Sequence, residues 1–237
     1  MVLREDGDAV VCIGQASHAW LSGQLARAWR VVEPREEVCL AAEQHDVGMA
    51  HWDLAPALNP RTGRPQSFME MPLAIHLALW TEAPRRLLTQ SRYAALLVSM
   101  HGTGLYEMRD LGKLAREEAA AVREYLATQR ALQRDLRREV GASDEELRRN
   151  QRLISTWDWL SLALCLDWAP SSLGELRLGA GNTLEPWPFG DVGEVEVRCE
   201  GRRLEGRYAD EPSLHAALER AARVDVRFSL RAGGPRT

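Results

Sequence analysis

Four histidines and two aspartates in this sequence have the types and spacing of metal ligands. They are His18, the adjacent pair His45-Asp46, His76, His101 and Asp158. Neutral imidazoles and ionised carboxylates are suitable ligands for first-row metals, and helices of a bundle can direct them into a shared interior site. Six ligands exceed what one tetrahedral zinc requires, whereas two ions about 3.5–4 Å apart are bound in this way by two-metal hydrolases. The set therefore predicts two divalent metal ions, Fe, Mn or Zn, with Asp46 as the bridging and catalytic carboxylate.

Helices are predicted to carry all of these side chains. Apolar residues recur at steps of three and four around each candidate, which places it on the inner face of a helix. The predicted helices begin near Gln15, Pro34, Pro72, Ser91 and Ser143. A further helix over 114–140 is rich in Arg and Glu and is expected to cover the bundle with its other side solvated. The pattern predicts a mainly α fold, a helical bundle.

The C-terminal part of the sequence has a different pattern. After Pro170 the chain is punctuated by Gly, Ser and Pro, and residues 194–199 then alternate as a half-buried strand does. A hairpin is predicted through Glu200-Gly201, followed by a short helix over 213–222 and a strand over 224–231. We therefore expect a metal-binding helical domain over 1–170 and a small α/β appendage over 171–237.

Composition limits the class of partner. The formal net charge of the 237 residues is −4, which argues against nucleic acid as the partner. The N-terminus lacks the pattern of a signal peptide, and no apolar run approaches the roughly 20 residues of a membrane span, so neither export nor a membrane partner is expected. The four cysteines are far apart and read as reduced thiols. A cytoplasmic protein is predicted, and a homo-oligomer is left open.

A loop over residues 51–65 carries the predicted substrate contacts. Its density of Pro, Gly and Asn indicates an ordered loop, and loops of this length in compact domains are often functional. Arg61 and Arg64 lie on it, and a guanidinium group forms paired hydrogen bonds with phosphate or carboxylate. They predict a small anionic substrate, although surface charge is an equally good interpretation of both.

The ordered set of ligands resembles the His-Asp (HD) domain superfamily of metal-dependent phosphohydrolases. The sequence Gln44-His45-Asp46-Val47-Gly48 looks like its signature, and the resemblance covers residues 15–168. A second resemblance, to an uncharacterised bacterial HD-like family, spans nearly the whole chain. Its motifs are Gln15-x-x-His18-Ala19-x-Leu21-Ser22-Gly23, Trp52-Asp53, Thr62-Gly63-Arg64-Pro65 and Trp187-Pro188-Phe189. The resemblance implies that His18, His45, Asp46 and Asp158 form the core site and that His76 and His101 hold a second metal.

The resemblance leaves three functions open. A metal-dependent hydrolase of a small phosphorylated or nucleotide-like substrate is the leading one. Met49 stands where many HD phosphodiesterases have a lysine thought to meet the substrate phosphate, which weakens this interpretation. The superfamily also contains diiron oxygenases with a similar ligand order, which is the second possibility. The third is a non-catalytic sensor or scaffold with a structural metal centre.

Overall fold

The computed structural model describes residues 1–233, and within that span the chain folds as a mixed α/β protein. Its α-helices are α1 (Gln15–Ala28), α2 (Arg35–Gln44), α3 (Leu73–Arg85), α4 (Arg92–Glu107), α5 (Arg116–Val140), α6 (Asp144–Cys165) and α7 (Glu211–Arg220). Its strands are β1 (Val2–Asp6), β2 (Ala9–Ile13), β3 (Leu58–Asn59), β4 (Arg64–Pro65), β5 (Ser171–Leu173), β6 (Leu176–Gly179), β7 (Thr183–Glu185), β8 (Glu194–Glu205) and β9 (Ala222–Ala232). Every one of these helices overlaps a segment predicted as helical. None of the helices in the described part is long and apolar enough to span a lipid bilayer.

Seven strands form one mixed sheet, in the order β1-β2-β8-β9-β7-β6-β5. β7 and β9 are parallel, the other neighbours are antiparallel, and β3 pairs with β4 separately. The prediction of a mainly α, HD-domain-like helical bundle with a small C-terminal α/β appendage is therefore wrong. The sheet is large, and it combines strands from both ends of the chain because β8 pairs with β9 on one side and with the N-terminal β2 on the other.

The N-terminal hairpin accounts for much of this difference. β1 and β2 are joined at Gly7-Asp8, where Gly7 has a φ of +61°, which glycine adopts without steric cost. All five residues of β2 are buried. Because β8 bonds to β2 as well as β9, it runs without interruption through Glu200-Gly201. The hairpin predicted at Glu200-Gly201 is wrong for the same reason.

Helices cover both faces of the sheet. Val11 and Ile13 of β2 pack into the larger core, which α1, α2, α4 and α6 also line. Val10 and Cys12 point the other way, into a smaller core that includes Leu214 of α7. A strand buried on both faces reads as a continuous apolar run, which is what the sequence of β2 shows.

Two side chains attach α1 to β8. The Ser17 hydroxyl accepts from the backbone N–H of Glu200 and donates to its carbonyl, each over 2.8 Å. Two turns later, the Gln24 amide donates to the carbonyl of Arg198 over 2.8 Å and accepts from its N–H over 3.1 Å. These bonds fix the rotation of α1. Because His18 follows Ser17 directly, they also fix the point from which His18 enters the interior.

Candidate metal centre

Five of the six predicted ligands come together in the interior. The Nε2 atom of His18 lies 2.7 Å from Oδ2 of Asp46 and 3.9 Å from Oδ1 of Asp158. The Nε2 atom of His45 lies 3.3 Å from Oδ1 of Asp158, and that of His101 lies 3.4 Å from Oδ2 of the same carboxylate. One ligand atom each from His18, His45 and Asp158 fit within 4.8 Å of one another. Helices α1, α2, α4 and α6 thus supply one cluster of imidazoles and carboxylates.

Hydrogen bonds to the outer ring nitrogens orient two of the imidazoles. Nδ1 of His45 lies 2.8 Å from the carbonyl oxygen of Ala42, which can only accept, so Nδ1 carries a proton and Nε2 is the atom that faces the cluster. Nδ1 of His18 lies 2.8 Å from the Ser161 hydroxyl, which donates to the backbone carbonyl of Asp158 over 2.9 Å. Ser161 therefore accepts from His18. Bonds of this kind fix the tautomer of metal-binding histidines in proteins.

Two buried nitrogen atoms support the fit of a metal ion. Nε2 of His45 and Nε2 of His101 are both buried, and within residues 1–233 each faces the Asp158 carboxylate at the upper limit of a hydrogen-bond distance. Ligands about 2.1 Å from a common ion, at angles between octahedral and tetrahedral, are separated by about 3.0–3.4 Å. The distances from these two nitrogens to the Asp158 carboxylate, 3.3 and 3.4 Å, match that separation. The residues present therefore fit one divalent ion.

The pKa values reflect the close approach of these groups. Burial by itself would raise the pKa of Asp158, but the imidazoles of His101 and His45 outweigh it and hold that pKa well below the usual range. Burial also opposes ionisation of Asp46, whose pKa is nevertheless lowered by His45 and His18. Burial lowers the pKa of His45, but the carboxylates of Asp46 and Asp158 raise it to about 9. Two ionised buried carboxylates thus attract positive charge, which a divalent ion would supply while leaving the imidazoles neutral.

Two residues from outside the ligand set hold the start of α1. The side-chain amide of Gln15 donates to Oδ2 of Asp46 over 3.2 Å. The backbone N–H of Gln15 donates to Oδ2 of Asp53, a carboxylate that occupies the place of a helix cap. In the sequence, Asp53 can be interpreted as a partner of Arg64 or as the cap of a turn, and its contact with Gln15 is of the second kind. Nothing in the sequence indicated the role of Gln15. Both residues position the turn of α1 that carries His18.

The structure does not bring His76 into the cluster. Its Nε2 accepts a hydrogen bond from the indole N–H of Trp80 over 3.0 Å, so its Nδ1 carries the proton and donates to the hydroxyl of Tyr106 over 2.5 Å. Both ring nitrogens therefore have protein partners. A second metal held by His76 and His101 stays a prediction, and it requires His76 to give up one of these bonds.

The environment of His76 gives the protein a specific pH dependence. Burial lowers its pKa to about 4, below the 6.5 of an unfolded histidine. The unfolded chain therefore binds the extra proton more tightly, and stability is lost as the pH falls from about 6.5 towards 4. We expect the metal-free protein to lose roughly 3 kcal/mol from this group over that window. The non-titrating variant His76→Gln should lack this part of the slope.

Urea unfolding of the wild type and of His76→Gln between pH 7 and pH 4 gives the free energy of unfolding of each protein as a function of pH. The difference between the two curves measures the contribution of His76. His51→Gln is the matched control because it removes an exposed imidazole. A stability difference between wild type and His76→Gln that stays constant with pH would contradict the expectation.

The predicted substrate contacts lie elsewhere on the surface. Arg64 donates to Glu5 over 2.9 Å and to the carbonyl of Asp8 over 2.9 Å. The Arg61 side chain is 86% exposed, with Glu70 at 3.9 Å as its nearest carboxylate. Neither residue lines the cavity above the cluster. The arginine that does line it is Arg109, which lies just after the end of α4 and which the sequence analysis did not identify.

That cavity has a volume of about 350 Å³ and reaches the cluster directly. Its floor includes His18, Asp46, His101 and Asp158, and its walls are mainly apolar. The wall residues are Phe68, Met69, Met71, Leu73, Trp80, Leu105 and Leu162, together with His76, Gln15 and Arg109. The guanidinium carbon of Arg109 lies 4.7 Å from the centre of the Tyr106 ring, which orients it as a cation–π contact does. A small molecule with an anionic group fits this lining.

Ser22 and Glu43 lie close to His18 and His45 in the sequence, where a polar side chain can orient an imidazole. Ser22 does contact this network, because its hydroxyl donates to that of Ser161 over 2.9 Å. Glu43 instead forms an ion pair with Arg27 on the surface of α1. Ser161, the centre of the network, was recognised in the sequence only as a member of the inner face of α6.

Gly48 allows the turn after the His-Asp pair to approach α3. A Cβ atom at this position would collide with the backbone carbonyl oxygen of Leu79, which cannot move as the end of a side chain can. Met49, next in the chain, is 1% exposed and packs in an apolar cluster with Trp80 and Tyr125. The residue at position 49 therefore supports packing, and it does not line the cavity above the metal ligands.

We expect Gly48→Ala to destabilise the protein by about 1–3 kcal/mol, because overpacking against a fixed backbone costs energy of this order. Denaturant unfolding of the metal-free protein measures it. Gly193→Ala is the control, since a Cβ there would meet no atom within 4 Å. Equal stability of the two variants would show that α3 and the turn can move apart without cost.

The fold and the site together define a class of protein. It has a mixed α/β fold and a buried cluster of three imidazoles and two carboxylates. The chain belongs to the family described as "Protein of unknown function (DUF3891)", whose sequence model matches residues 1–206. The matched span contains all five clustered residues and β1 to β8. No curated protein and no solved structure matches the chain.

Proposed function

We propose that this protein is a metal-dependent hydrolase of the HD type, acting on a small phosphorylated or nucleotide-like molecule. The observation that carries the proposal is the convergence of three buried imidazoles, His18, His45 and His101, on the Asp158 carboxylate, each through its Nε2 atom. Imidazole and carboxylate groups in this arrangement are suitable ligands for a first-row divalent ion. A bound cation would balance the buried carboxylates and leave the imidazoles neutral.

Our assignment of roles follows the contacts. His18, His45, Asp46 and Asp158 would hold the ion, with His101 as the fifth ligand. A bound divalent ion would act as a Lewis acid and lower the pKa of a bound water. Asp158 is the only one of the five whose side chain reaches 15% exposure, and it lines the cavity. Its carboxylate therefore faces a molecule that enters the cavity from that side.

The cavity supports an anionic substrate of modest size. Its volume of about 350 Å³ lies near the lower end of the range for small-molecule sites. Arg109 is the residue we assign to the substrate anion, because it is the arginine that lines this cavity. The apolar walls would exclude water and strengthen the attraction between this guanidinium and an anion.

The cysteines support the proposed location. All four are free and buried, and structural cysteines of this kind are typical of a reducing compartment. We propose that the protein acts in the cytoplasm.

Metal analysis tests the proposal first. Protein purified without added metal should contain Mn, Zn or Fe and should release phosphate in a panel of phosphomonoesters and phosphodiesters. Two irons per chain with dioxygen uptake, and no phosphate release, would replace it by the diiron oxygenase. Bound metal with neither activity would indicate a sensor or scaffold. One metal per chain would contradict the second ion that the sequence predicts and would leave the proposed hydrolase unchanged.

A further inference from the structure

A second, larger cleft reaches the metal centre from the opposite side of His101 and Asp158. It lies between α4, α5 and α6 and has a volume of about 1060 Å³, three times that of the smaller cavity. Leu105 and Leu162 line both spaces, as do His101 and Asp158. The two spaces therefore meet at the Asp158 carboxylate, and a molecule in the cleft has one end at the site of the proposed chemistry.

Four arginines line this cleft, which is a concentration of positive charge on a chain of net charge −4. Arg130 is paired with Glu107 over 2.8 Å. Arg137 has its nearest carboxylate, Asp144, at 3.7 Å, and its buried Nε has no hydrogen-bond partner. The other two are Arg148 and Arg152, and neither has a carboxylate within 4.0 Å among residues 1–233.

The helix geometry gives the separation along the α6 axis between the backbone positions of two of these arginines and that of Asp158. Arg152 and Arg148 precede Asp158 on α6 by six and ten residues, which corresponds to roughly 9 and 15 Å along the helix axis. All three line the same cleft. On α6 the cleft-lining residues between Arg152 and Asp158 are Ser155 and Thr156, while Met100 and Leu105 of α4 add apolar surface to the wall. A ligand that spans the cleft would therefore meet a mixed polar and apolar wall and would have an anionic group at its far end.

We infer that this cleft binds the distal anionic group of the substrate, held by Arg148 and Arg152 with Arg137 beside them. The substrate is then an elongated molecule with two anionic groups, one at the metal centre and one roughly 9–15 Å away. The anionic groups are expected to be phosphates or carboxylates, because a guanidinium forms charge-assisted hydrogen bonds with both. The inference rests on the proposed function for the end that reacts, but the binding of the far end can be measured without turnover.

The test compares two synthetic probes on the full chain, with and without bound metal. Phenyl phosphate has one phosphate, and hexane-1,6-diol bisphosphate has two, separated by six methylene groups. Titration calorimetry should show that the wild type prefers the bisphosphate by about tenfold or more, which is the contribution expected from charged hydrogen bonds. The double variant Arg148→Gln/Arg152→Gln should lose this preference and bind phenyl phosphate as the wild type does.

The control is Arg123→Gln/Arg134→Gln, which removes the same charge from exposed positions of α5 outside the cleft. It should keep the preference. Equal affinity of the wild type for both probes, or an equal loss in the control, would overturn the inference. So would a dimer in sedimentation that only the Arg148/Arg152 variant dissociates, because the cleft would then be an interface.

The same data separate this inference from the proposed function. Phosphate release from phenyl phosphate with no preference for the bisphosphate would contradict the inferred role of the cleft and support the proposed hydrolase. A preference for the bisphosphate that persists without metal, in a protein that releases no phosphate from either probe, would support the role of the cleft and contradict the hydrolase.

Discussion

Replacing Asp158 with asparagine is expected to weaken divalent metal binding by more than about 100-fold, beyond the effect of losing an outer-shell contact. The side chain keeps its shape but loses the charge that faces His45 and His101 at 3.3 and 3.4 Å. Asp158 contributes an oxygen to the closest group of candidate ligand atoms, with His18 and His45, so its charge acts where the ion would be bound. Metal content after dialysis, and titration of metal into the chelated protein, measure the loss.

Thermal unfolding distinguishes loss of metal from loss of fold. Metal at 100 times its dissociation constant should stabilise the wild type by about 2.7 kcal/mol and should leave Asp158→Asn unchanged. Asp135→Asn, at an exposed position of α5, is the control and should respond as the wild type does. Full metal occupancy in Asp158→Asn would show that the ligand assignment is wrong.

The helices could be predicted from the sequence because the signal is local. Apolar residues three and four positions apart are visible within a single segment, and the Ser143 cap of α6 accepts from the N–H of Glu146, as the sequence pattern indicates. The same periodicity placed His18, His101 and Asp158 on inner faces. The periodicity did not predict which way the His76 side chain points. His76 lines the cavity, but its ring nitrogens bond to the side chains of Trp80 and Tyr106.

The sheet could not be predicted because its pairings are not local. β2 and β8 are separated by most of the chain, and no periodicity within either segment reports that they are neighbours. The sequence did contain one clue, since Val2–Asp6 and Ala9–Ile13 flank Gly7-Asp8, which is a hairpin signal.

The arginines illustrate a different limit. With so many in the chain, the residue type alone carries little information, and Arg61 and Arg64 were selected because they lie on a loop rich in Pro and Gly. The structure places them near acidic or carbonyl partners on the surface, whereas Arg109 and Arg152 line spaces that His101 and Asp158 of the candidate cluster also line. The two pairs of arginines can be told apart only once α4 is packed against α6. That packing involves two segments of the chain and cannot be read from either one alone.

Removing the Ser161 hydroxyl is expected to weaken metal binding by about 10–100-fold, although Ser161 is not a ligand. Its oxygen accepts from Nδ1 of His18 over 2.8 Å and from Ser22 over 2.9 Å, and it donates to the carbonyl of Asp158. In Ser161→Ala, nothing selects the tautomer of His18 that presents the Nε2 lone pair. The buried Nδ1 also loses its partner, which should destabilise the metal-free protein by about 1–3 kcal/mol.

Thr156→Ala is the matched control on the same helix, because its hydroxyl donates to the carbonyl of Arg152 within α6 and touches no candidate ligand. Metal titration of both variants, with unfolding measured in parallel, separates the two effects. A change in affinity below about threefold in Ser161→Ala, alongside the expected loss of stability, would mean that helix packing alone orients His18. A loss in the range of 10–100-fold would instead show that the centre depends on a proton held at Nδ1 by a hydroxyl on α6, through which α1 and α6 are coupled.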